Sequence, residues 1–385
     1  MILTRRPRSR SGRRAVFVET TDISVKSHLD GLIGYLAAQG WEITVMSDDS
    51  GLLFDCASRN RAKAVSLAMD RKPSLSRDLR SLLALTLVLY RERADLVIYG
   101  TPKASLLGAI ASTAVRAPNR VHVLHGLRVE TLRGWKQRTY LRLDRLVESL
   151  STRCVAVGDS LADRALELGS TKRRPTVLGR GSAQGVDIGR FHPKRKSTPP
   201  GPQSLDGPFR ITFIGRLTAD KGIDDLVAAY QVVAATVPQA ELLLAGAPEG
   251  LKTLTAETQA TIAGDPRVHM LGAMDDVGAL LRAADVLCLP TRREGLPTVL
   301  LEGGAAGVPI VATRATGVID LIRENVTGLL VEVGAVDQLA DALLSVWRHP
   351  AAAQDRAFRL RQSVVADFDN IGVWRRWHRF LSEVN

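Results

Sequence analysis

The sequence predicts an α/β protein with two domains, each built around a parallel β-sheet, and three observations lead to this prediction. A chain of 385 residues is longer than one hydrophobic core usually supports, so two domains are expected. Short apolar runs alternate with helical stretches along most of the chain, which is typical of parallel α/β layering. This alternation is interrupted by the segment Phe191–Pro208, rich in proline, glycine and lysine, which we interpret as an interdomain linker.

Six strands are predicted in the first half of the chain, with helices between them. Each strand is a short apolar run bounded by polar residues or glycine. The clearest helical stretches are His28–Gln39 and Leu161–Leu168. The predicted strands are Ala15–Glu19, Glu42–Ser47, Asp95–Gly100, Arg120–Gly126, Arg153–Gly158 and Pro175–Gly179.

Five more strands are predicted after the linker, followed by a C-terminal helix from about Asp369. Its segment Val373–Phe380 is basic and contains Trp374 and Trp377. This segment suits packing against the protein, which we favour, or a membrane interface. The five strands are Arg210–Gly215, Glu241–Gly246, Arg267–Leu271, Asp285–Pro290 and Val308–Thr313.

The basic charge of the chain belongs to its first half. The formal net charge is +12, and residues 1–200 carry 35 basic and 18 acidic residues, whereas residues 201–385 have a net charge of −5. Nucleic acid fits poorly as a partner, because aromatic residues make up only 5% of the chain and no nucleic-acid-binding motif is present. An anionic membrane surface fits the basic half better, and a solvated basic surface is the open alternative.

Two segments of the first half bear on membrane attachment. Residues 1–14 contain six arginines but no apolar stretch like that of a signal peptide, so they are interpreted as a disordered basic arm. The apolar run Leu82–Tyr90 is much shorter than the ~20 residues of a membrane-spanning helix. We favour a core helix for this run, and a helix at the surface of a monolayer is the alternative. A soluble or peripheral protein is therefore expected.

The three cysteines predict neither a disulfide framework nor a zinc site. Cys56, Cys154 and Cys288 are widely spaced and form no paired motif. Each is expected to be a small core residue, which is consistent with a reducing cytoplasm. Together with the basic half of the chain, this predicts a cytoplasmic protein that is peripheral at the inner face of the plasma membrane.

The strongest functional signal is the segment Glu294–Thr313. Glu294 lies in a loop just after the predicted strand Asp285–Pro290, and seven residues separate it from Glu302. One carboxylate can bind sugar hydroxyls and the other a ribose. With a phosphate site between them, this spacing predicts a nucleotide-sugar site.

The helix between the two glutamates predicts that phosphate site. Pro297 is expected at its first position, because proline lacks an N–H that would be unpaired there. The free N–H groups of Thr298, Val299 and Leu300 would then form an anion site, which the helix dipole reinforces.

A second motif lies upstream, in Ile211–Tyr230. A buried strand turns at Gly215, and a helix follows from about Gly222. Arg216 lies at the strand end and Lys221 directly before the helix. Two cations at these positions could neutralise a departing diphosphate, so catalysis without a metal ion is plausible.

These motifs resemble those of a known family. The segment Gly215–Gly222, the glutamate pair and the segment Thr316–Val331 are similar, in this order along the chain, to those of the retaining family-four glycosyltransferases, and the resemblance covers nearly the whole chain. It implies the GT-B architecture, in which two doubly wound Rossmann-like α/β domains face a central cleft.

The resemblance also implies the domain boundaries. After the arm 1–14, residues 15–190 would form an N-terminal acceptor-binding domain, and residues 191–208 the linker. Residues 209–368 would bind the nucleotide-sugar, and the helix 369–385 would cross back to the N-terminal domain.

The roles of the donor-site residues follow from the same resemblance. Arg216 and Lys221 would hold the diphosphate, Glu294 the hydroxyls of the donor sugar, and Glu302 the ribose. His125 matches a histidine beside the reacting carbon. The full donor-binding set is Gly215, Gly295, Leu296, Thr298, Val299, Leu300 and Glu302.

An acceptor site is predicted in the first half. His125 ends a strand, with Arg128 and Glu130 just beyond it, and this segment resembles a branch of the family that extends lipid-linked capsular or exopolysaccharide units. Arg128 and Glu130 are therefore predicted to bind the acceptor, whereas the neighbouring His122 is expected in the core.

His28 completes the predicted acceptor site. Ser27 and His28 fall where that branch has a Ser-His pair, and a helix N-cap by Ser27 is the open alternative. The glycine-rich loop common in the family is absent here, which leaves the acceptor geometry open.

The resemblance implies a metal-independent enzyme without a cofactor. It would move a sugar from a nucleotide-sugar, UDP-linked by family frequency, to a hydroxyl of a glycan or polyprenyl-diphosphate-linked sugar, with same-face attack. A nucleotide-sugar epimerase and a non-catalytic scaffold subunit at the membrane are the alternatives, and no nucleic acid is expected as a partner.

Overall fold

The computed structural model describes residues 13–69, 74–193, 207–274 and 276–384. Most of the predicted basic arm 1–14 and most of the predicted linker 191–208 therefore lie outside the described residues. Two compact units are present. The first contains Met1–Val123, Arg142–Val155 and Trp377–Asn385, and the second contains Leu124–Leu141 and Ala156–Arg376. The domain boundaries predicted from the sequence stay a prediction.

The first of two β-sheets is built from the first half of the chain. Its strands are β1 (Arg13–Thr21), β2 (Trp41–Asp48), β3 (Lys63–Ser66), β4 (Leu96–Tyr99), β5 (Asn119–Leu124), β6 (Arg153–Ala156) and β7 (Thr176–Val177). Their order in the sheet is β3-β2-β1-β4-β5-β6-β7. β1 pairs in parallel with β2 and β4, β2 with β3, and β4 with β5, and the strand order reverses beside β1, as in doubly wound sheets.

The second sheet has six parallel strands. They are β8 (Phe209–Ile214), β9 (Ala240–Ala245), β10 (Val268–Gly272), β11 (Val286–Leu289), β12 (Ile310–Thr313) and β13 (Leu329–Val331). Their order is β10-β9-β8-β11-β12-β13, and each adjacent pair is parallel. β11 and β12 are buried along their whole lengths, as expected for parallel strands that are covered on both faces. The two sheets confirm the predicted fold class, an α/β protein with two Rossmann-like parallel-sheet domains.

Helices connect the strands of both sheets. In the first half they are α1 (Asp22–Leu29), α2 (Leu32–Ala38), α3 (Leu53–Arg59), α4 (Leu75–Glu92), α5 (Pro102–Ala114), α6 (Gly134–Leu150) and α7 (Asp159–Glu167). In the second half they are α8 (Ile223–Thr236), α9 (Ala256–Gly264), α10 (Gly278–Ala283), α11 (Thr298–Ala306), α12 (Val336–Arg348), α13 (Pro350–Asp367) and α14 (Asn370–Glu383). Short 3-10 helices span Arg128–Thr131, Ala219–Lys221 and Pro248–Thr253.

All eleven predicted strands are present, and two further strands were missed. β3 and β13 lie at the edges of their sheets and have four and three residues. A run of three or four residues is at or below the length at which a strand pattern can be recognised, so these two strands give a weak signal.

The helix predicted over His28–Gln39 is in fact two helices. Gly31 has φ +82° and separates α1 from α2. Thr21 caps α1, whereas Ser27 lies in its last turn and donates a hydrogen bond from its hydroxyl to the carbonyl of Ile23. The alternative that Ser27 is a helix N-cap is therefore wrong.

The structure confirms several predicted core residues. Cys56 and Cys288 are buried, Cys154 is half-buried, and none of the three forms a disulfide. His122 is buried, and this burial lowers its pKa to about 4. A histidine that stays neutral in the core belongs to packing, as the sequence predicts.

The C-terminal helix is a packing element at Trp377. Trp377 is buried, together with Val373 and Leu381 of the same helix. Within the first unit, the ring of His378 meets Tyr35 edge-on at 6.4 Å between centroids. A buried tryptophan has no free face for lipid, so the favoured interpretation of this segment holds for Trp377. Across the described ranges, no helix combines the length and apolar character that crossing a membrane requires.

Candidate active site

Three loops of the second unit follow neighbouring strands of the second sheet. Gly215 and Arg216 follow β8, Glu294 lies in the loop after β11, and Thr316 lies in the loop after β12. These strands are adjacent and parallel, so the loops leave the same edge of the sheet. Ligands of open α/β sheets bind beyond this carboxyl edge.

Lys221 and Glu294 form the central contact of the site. Lys221 is the last residue of the 3-10 helix after β8. Its Nζ donates a hydrogen bond to Oε1 of Glu294 at 2.5 Å. Both side chains are mostly buried, with 16% and 14% of their surface exposed. The structure therefore joins two residues that were predicted as catalytic from separate motifs, and a charged pair with little exposure is weakly screened by water.

Arg216 belongs to a second group of charges, centred on Asp220. Nitrogen atoms of Arg216 and Arg293 lie 3.8 and 3.5 Å from the Asp220 carboxylate. Burial opposes ionisation of Asp220, but the hydroxyl of Thr218 and the neighbouring cations outweigh it and lower the pKa of this carboxyl. Asp220, which the sequence analysis did not single out, therefore orients two arginines at the strand edge, and more than half of the Arg216 side chain stays exposed.

The helix after Glu294 begins one residue later than predicted, and this changes its anion site. Pro297 is the N-cap of α11 rather than its first residue. Its carbonyl accepts a hydrogen bond from the N–H of Leu300 at 3.0 Å, so the prediction that Leu300 offers a free donor is wrong. Within the described residues, the N–H groups of Thr298 and Val299 have no acceptor. These two donors form the positive end of the helix.

Glu302 is a carboxyl without a hydrogen-bond partner in the part of the chain that the structure describes. Burial raises its pKa to about 7, and the charge of Arg190 opposes this shift only in part. A desolvated carboxyl is costly unless it is hydrogen-bonded. The hydroxyl groups of a ligand would supply the missing donors.

Close backbone packing joins the end of β5 to the loop of Glu294. A Cβ atom at Gly295 would lie 2.2 Å from the carbonyl oxygen of His125, and one at Gly317 would lie 2.2 Å from the carbonyl oxygen of Gly295. Gly317 also has φ +78°, a conformation that favours glycine. Glycines at these two positions therefore let the backbones of His125 and Glu294 lie side by side. Leu296, the next residue of the loop, is half-buried.

Glu130 is held by the loop after β12. Its Oε1 accepts a hydrogen bond from the hydroxyl of Thr316 at 2.6 Å, and Arg164 lies 3.5 Å from the same oxygen. Burial raises the pKa of Glu130, and the Thr316 hydrogen bond and nearby arginines oppose this shift. The carbonyl of Thr316 accepts a hydrogen bond from the N–H of Glu294 at 3.1 Å. Thr316 therefore connects Glu130 to the backbone of Glu294, and the contact of Glu130 with an acceptor stays a prediction.

A further set of contacts at the same loop was missed from the sequence. The hydroxyl of Ser160 accepts a hydrogen bond from the N–H of Gly317 at 2.7 Å, and the Asp320 carboxylate accepts from both the N–H and the hydroxyl of Ser160. Burial raises the pKa of Asp320, and these hydrogen bonds oppose the shift. The signal was present in the segment Thr316–Val331, which supported the family resemblance without roles for its residues.

Two predicted acceptor residues have local partners. Arg128 is exposed, and its guanidinium lies over the ring of Tyr140 at 5.2 Å. In the first unit, Nδ1 of His28 lies 3.5 Å from Oε1 of Glu19. The binding of an acceptor by Arg128 and His28 stays a prediction.

Two family models of glycosyltransferase domains match the chain. The one described as "Glycosyl transferases group 1" matches residues 208–349, and the one described as "Glycosyl transferase 4-like domain" matches residues 25–181. The two matches lie one after the other along the chain, and they identify it as a glycosyltransferase. In this glycosyltransferase the first match contains Lys221 and Glu294, and the second contains His125 and Glu130.

Curated relatives agree with the predicted branch of the family. The capsular polysaccharide biosynthesis glycosyltransferase CapM of Staphylococcus aureus is 27% identical over 92% of this chain and 94% of its own. The UDP-Gal:alpha-D-GlcNAc-diphosphoundecaprenol alpha-1,3-galactosyltransferase of Escherichia coli is 26% identical over 81% of both chains. These similarities confirm the resemblance to glycosyltransferases that build capsular or lipid-linked units.

Solved structures share the fold of this glycosyltransferase. The crystal structure of Anabaena Alr3699/HepE in complex with UDP and glucose has a TM-score of 0.78 at 20% identity, with 96% of this chain and 100% of that chain covered. Sucrose-phosphate synthase from Thermosynechococcus elongatus has a TM-score of 0.77 at 20% identity, with 97% of this chain and 99% of that chain covered. The predicted GT-B fold is confirmed.

Proposed function

We propose that this glycosyltransferase moves a hexosyl or N-acetylhexosaminyl group from a UDP-sugar to a hydroxyl, with retention of anomeric configuration and without a metal ion. The acceptor is a glycan or a polyprenyl-diphosphate-linked sugar of cell-surface polysaccharide synthesis. The contact between Lys221 and Glu294 carries the proposal, because it joins a cation for the diphosphate to a carboxylate for the hydroxyls of the sugar.

Fixed protein charges stabilise the leaving group in this proposal. The bond between the anomeric carbon and a phosphate oxygen breaks, and UDP gains negative charge as it departs. Lys221 and Arg216 supply two cations, and the N–H groups of Thr298 and Val299 supply two further donors. Charge-assisted contacts of this kind contribute roughly 1.5–3 kcal/mol each, and more where they act on developing charge.

The acceptor hydroxyl attacks on the face from which UDP departs. Its oxygen forms the new bond to the anomeric carbon, and its proton passes to the departing phosphate oxygen. The atoms and charges balance without a nucleophile from the protein. Glu294 holds the hydroxyls of the donor sugar, and His125 is assigned to the same sugar beside the reacting carbon.

Glu302 binds the ribose hydroxyls of the donor. Its carboxyl has no hydrogen-bond partner in the described chain and a pKa raised to about 7 by burial. Two hydroxyl donors would compensate its lost hydration. The ribose therefore binds best to the ionised form.

The relatives support the choice of substrates. The HepE crystal contains UDP and glucose, and the name of the Escherichia coli relative specifies UDP-galactose and a diphosphoundecaprenol-linked sugar. A lipid-linked acceptor also gives the basic first half a partner, an anionic membrane surface. The proposed location is therefore cytoplasmic, peripheral at the inner face of the plasma membrane.

A donor screen followed by NMR tests the proposal. UDP and at least one UDP-sugar should raise the melting temperature more than GDP- or dTDP-sugars do. NMR of the product formed from that donor should show the anomeric configuration of the donor. Interconversion of UDP-sugars without an acceptor would identify an epimerase instead, and the absence of any stabilisation by UDP would contradict the proposal.

A further inference from the structure

Helix α4 exposes a continuous apolar stripe to solvent. Leu79, Leu83, Leu87 and Tyr90 are 58%, 63%, 47% and 46% exposed. Their spacing of four, four and three residues places them on one face of the helix. The stripe therefore runs along about three helical turns, roughly 16 Å.

The stripe is not the face that packs into the protein. Leu85 and Leu89 of α4 are buried, and the helix packs on α5 within the first unit. The prediction that Leu82–Tyr90 is a core helix therefore holds for the face with Leu85 and Leu89, but not for the face with Leu83, Leu87 and Tyr90. A helix that is apolar on both its packed and its exposed face carries more apolar surface than its fold needs.

The charges of α4 are arranged asymmetrically around the stripe. The two acidic residues, Asp78 and Glu92, form ion pairs with Lys103 and Lys63. Arg80 and Arg91 are exposed at neighbouring positions of the helical wheel, on one side of the stripe. Within residues 13–69, 74–193, 207–274 and 276–384, no acidic side chain forms an ion pair with either of these two arginines. The acidic charge of the helix is therefore neutralised, and its positive charge is available beside the leucines.

We infer that this face of α4 docks the enzyme on an anionic phospholipid surface. The leucines of the stripe enter the boundary between headgroups and acyl chains, and Arg80 and Arg91 bind lipid phosphates. Charge complementarity favours lipid over a second copy of the chain, because two copies would bring four arginines together. The biological reason for this docking rests on the proposed lipid-linked acceptor. The position of the docking face follows from the geometry of α4 alone.

Vesicle binding tests the inference directly. The full chain is sedimented with vesicles of phosphatidylglycerol and phosphatidylcholine, and with vesicles of phosphatidylcholine alone, at low and high salt. The wild type should bind the anionic vesicles, and high salt should weaken binding. The triple variant Leu79→Ser/Leu83→Ser/Leu87→Ser should lose at least about tenfold in affinity, and Arg80→Gln/Arg91→Gln should lose about tenfold at low salt.

Matched variants separate this face from general surface effects. Leu166, Val232 and Phe358 are exposed apolar residues on other helices, and their triple replacement by serine should leave vesicle affinity unchanged. Arg348→Gln/Arg359→Gln, at exposed arginines of α12 and α13, is the control for charge. All variants should keep the wild-type melting temperature and UDP affinity, so a failure of docking is distinguishable from a failure of the nucleotide site.

Three outcomes would overturn the inference. Wild-type affinity of the α4 triple variant for anionic vesicles would show that the stripe does not dock. Equal binding to neutral and anionic vesicles would remove the role of the arginines. A concentration-dependent dimer that is lost only in the α4 variant would show that a second copy covers the stripe.

Discussion

The second unit contains two carboxyls whose pKa values are shifted in the same direction but whose hydrogen-bond partners differ. They are Glu302 in α11 and Glu130 in the 3-10 helix after β5. Burial raises the pKa of both. Glu130 accepts a hydrogen bond from Thr316, whereas Glu302 has no such partner in the described chain. A buried carboxyl with a protein donor can hold a loop in place, and one without a donor is suited to bind a ligand. The pKa alone does not distinguish the two roles, but the hydrogen-bond partner does.

The largest effect is expected where a side chain meets developing charge. Lys221→Ala should lower kcat by about 10²–10³, because it removes a cation from the leaving diphosphate. Steady-state transfer assays measure the change in kcat, and the melting temperature shows whether the variant is folded. Lys252→Ala, which removes an exposed lysine of the same unit, should have no effect on kcat. Wild-type turnover of Lys221→Ala would refute its role.

A smaller effect is expected at Glu302. Glu302→Gln should weaken UDP binding by about 10–100-fold, because a charged acceptor for the ribose hydroxyls is lost. In the wild type, UDP affinity should fall as the pH is lowered through about 7, since protonation neutralises the carboxylate. Calorimetry over this range should show the pH dependence in the wild type and a flatter profile in the variant. Equal pH dependence in both proteins would contradict the ribose assignment.

The smallest effect is expected at Glu130, which contacts Thr316 and through it the backbone of Glu294. Glu130→Gln should lower kcat by roughly tenfold, because misplacement of a catalytic group slows the chemical step, while the donor KM changes little. Glu167→Gln is the matched control, because Arg164 contacts Glu167 at 3.2 Å as well as Glu130. A rise in the KM for the acceptor with unchanged kcat would instead support the predicted acceptor contact.

The sequence predicts the parts of this molecule that depend on local patterns. The eleven predicted strands, the loops with Lys221 and Glu294, and the core position of His122 all follow from short-range features. The edge strands β3 and β13 were missed because they have only four and three residues, too few to show a clear strand pattern. The hydrogen bond from the N–H of Leu300 to the carbonyl of Pro297 depends on the residue at which the helix starts. A proline alone does not fix that residue.

Long-range partners could not be predicted in the same way. The contact between Glu130 and Thr316 joins residues 186 positions apart, and no pattern near either residue indicates it. The two apolar faces of α4 read alike in the sequence, and only packing shows that Leu85 is buried while Leu83 is exposed. Motifs identified the chemistry of the site, whereas tertiary contacts decide which side chains are available to a ligand.

Transfer in the presence of EDTA shows whether Lys221, Arg216 and the N–H groups of α11 stabilise the departing UDP without a divalent ion. The initial rate of sugar transfer by the wild type is measured with a saturating UDP-sugar before and after exhaustive chelation. We expect an unchanged rate in EDTA. Complete loss of transfer in EDTA, with recovery on addition of Mg²⁺ or Mn²⁺, would contradict it.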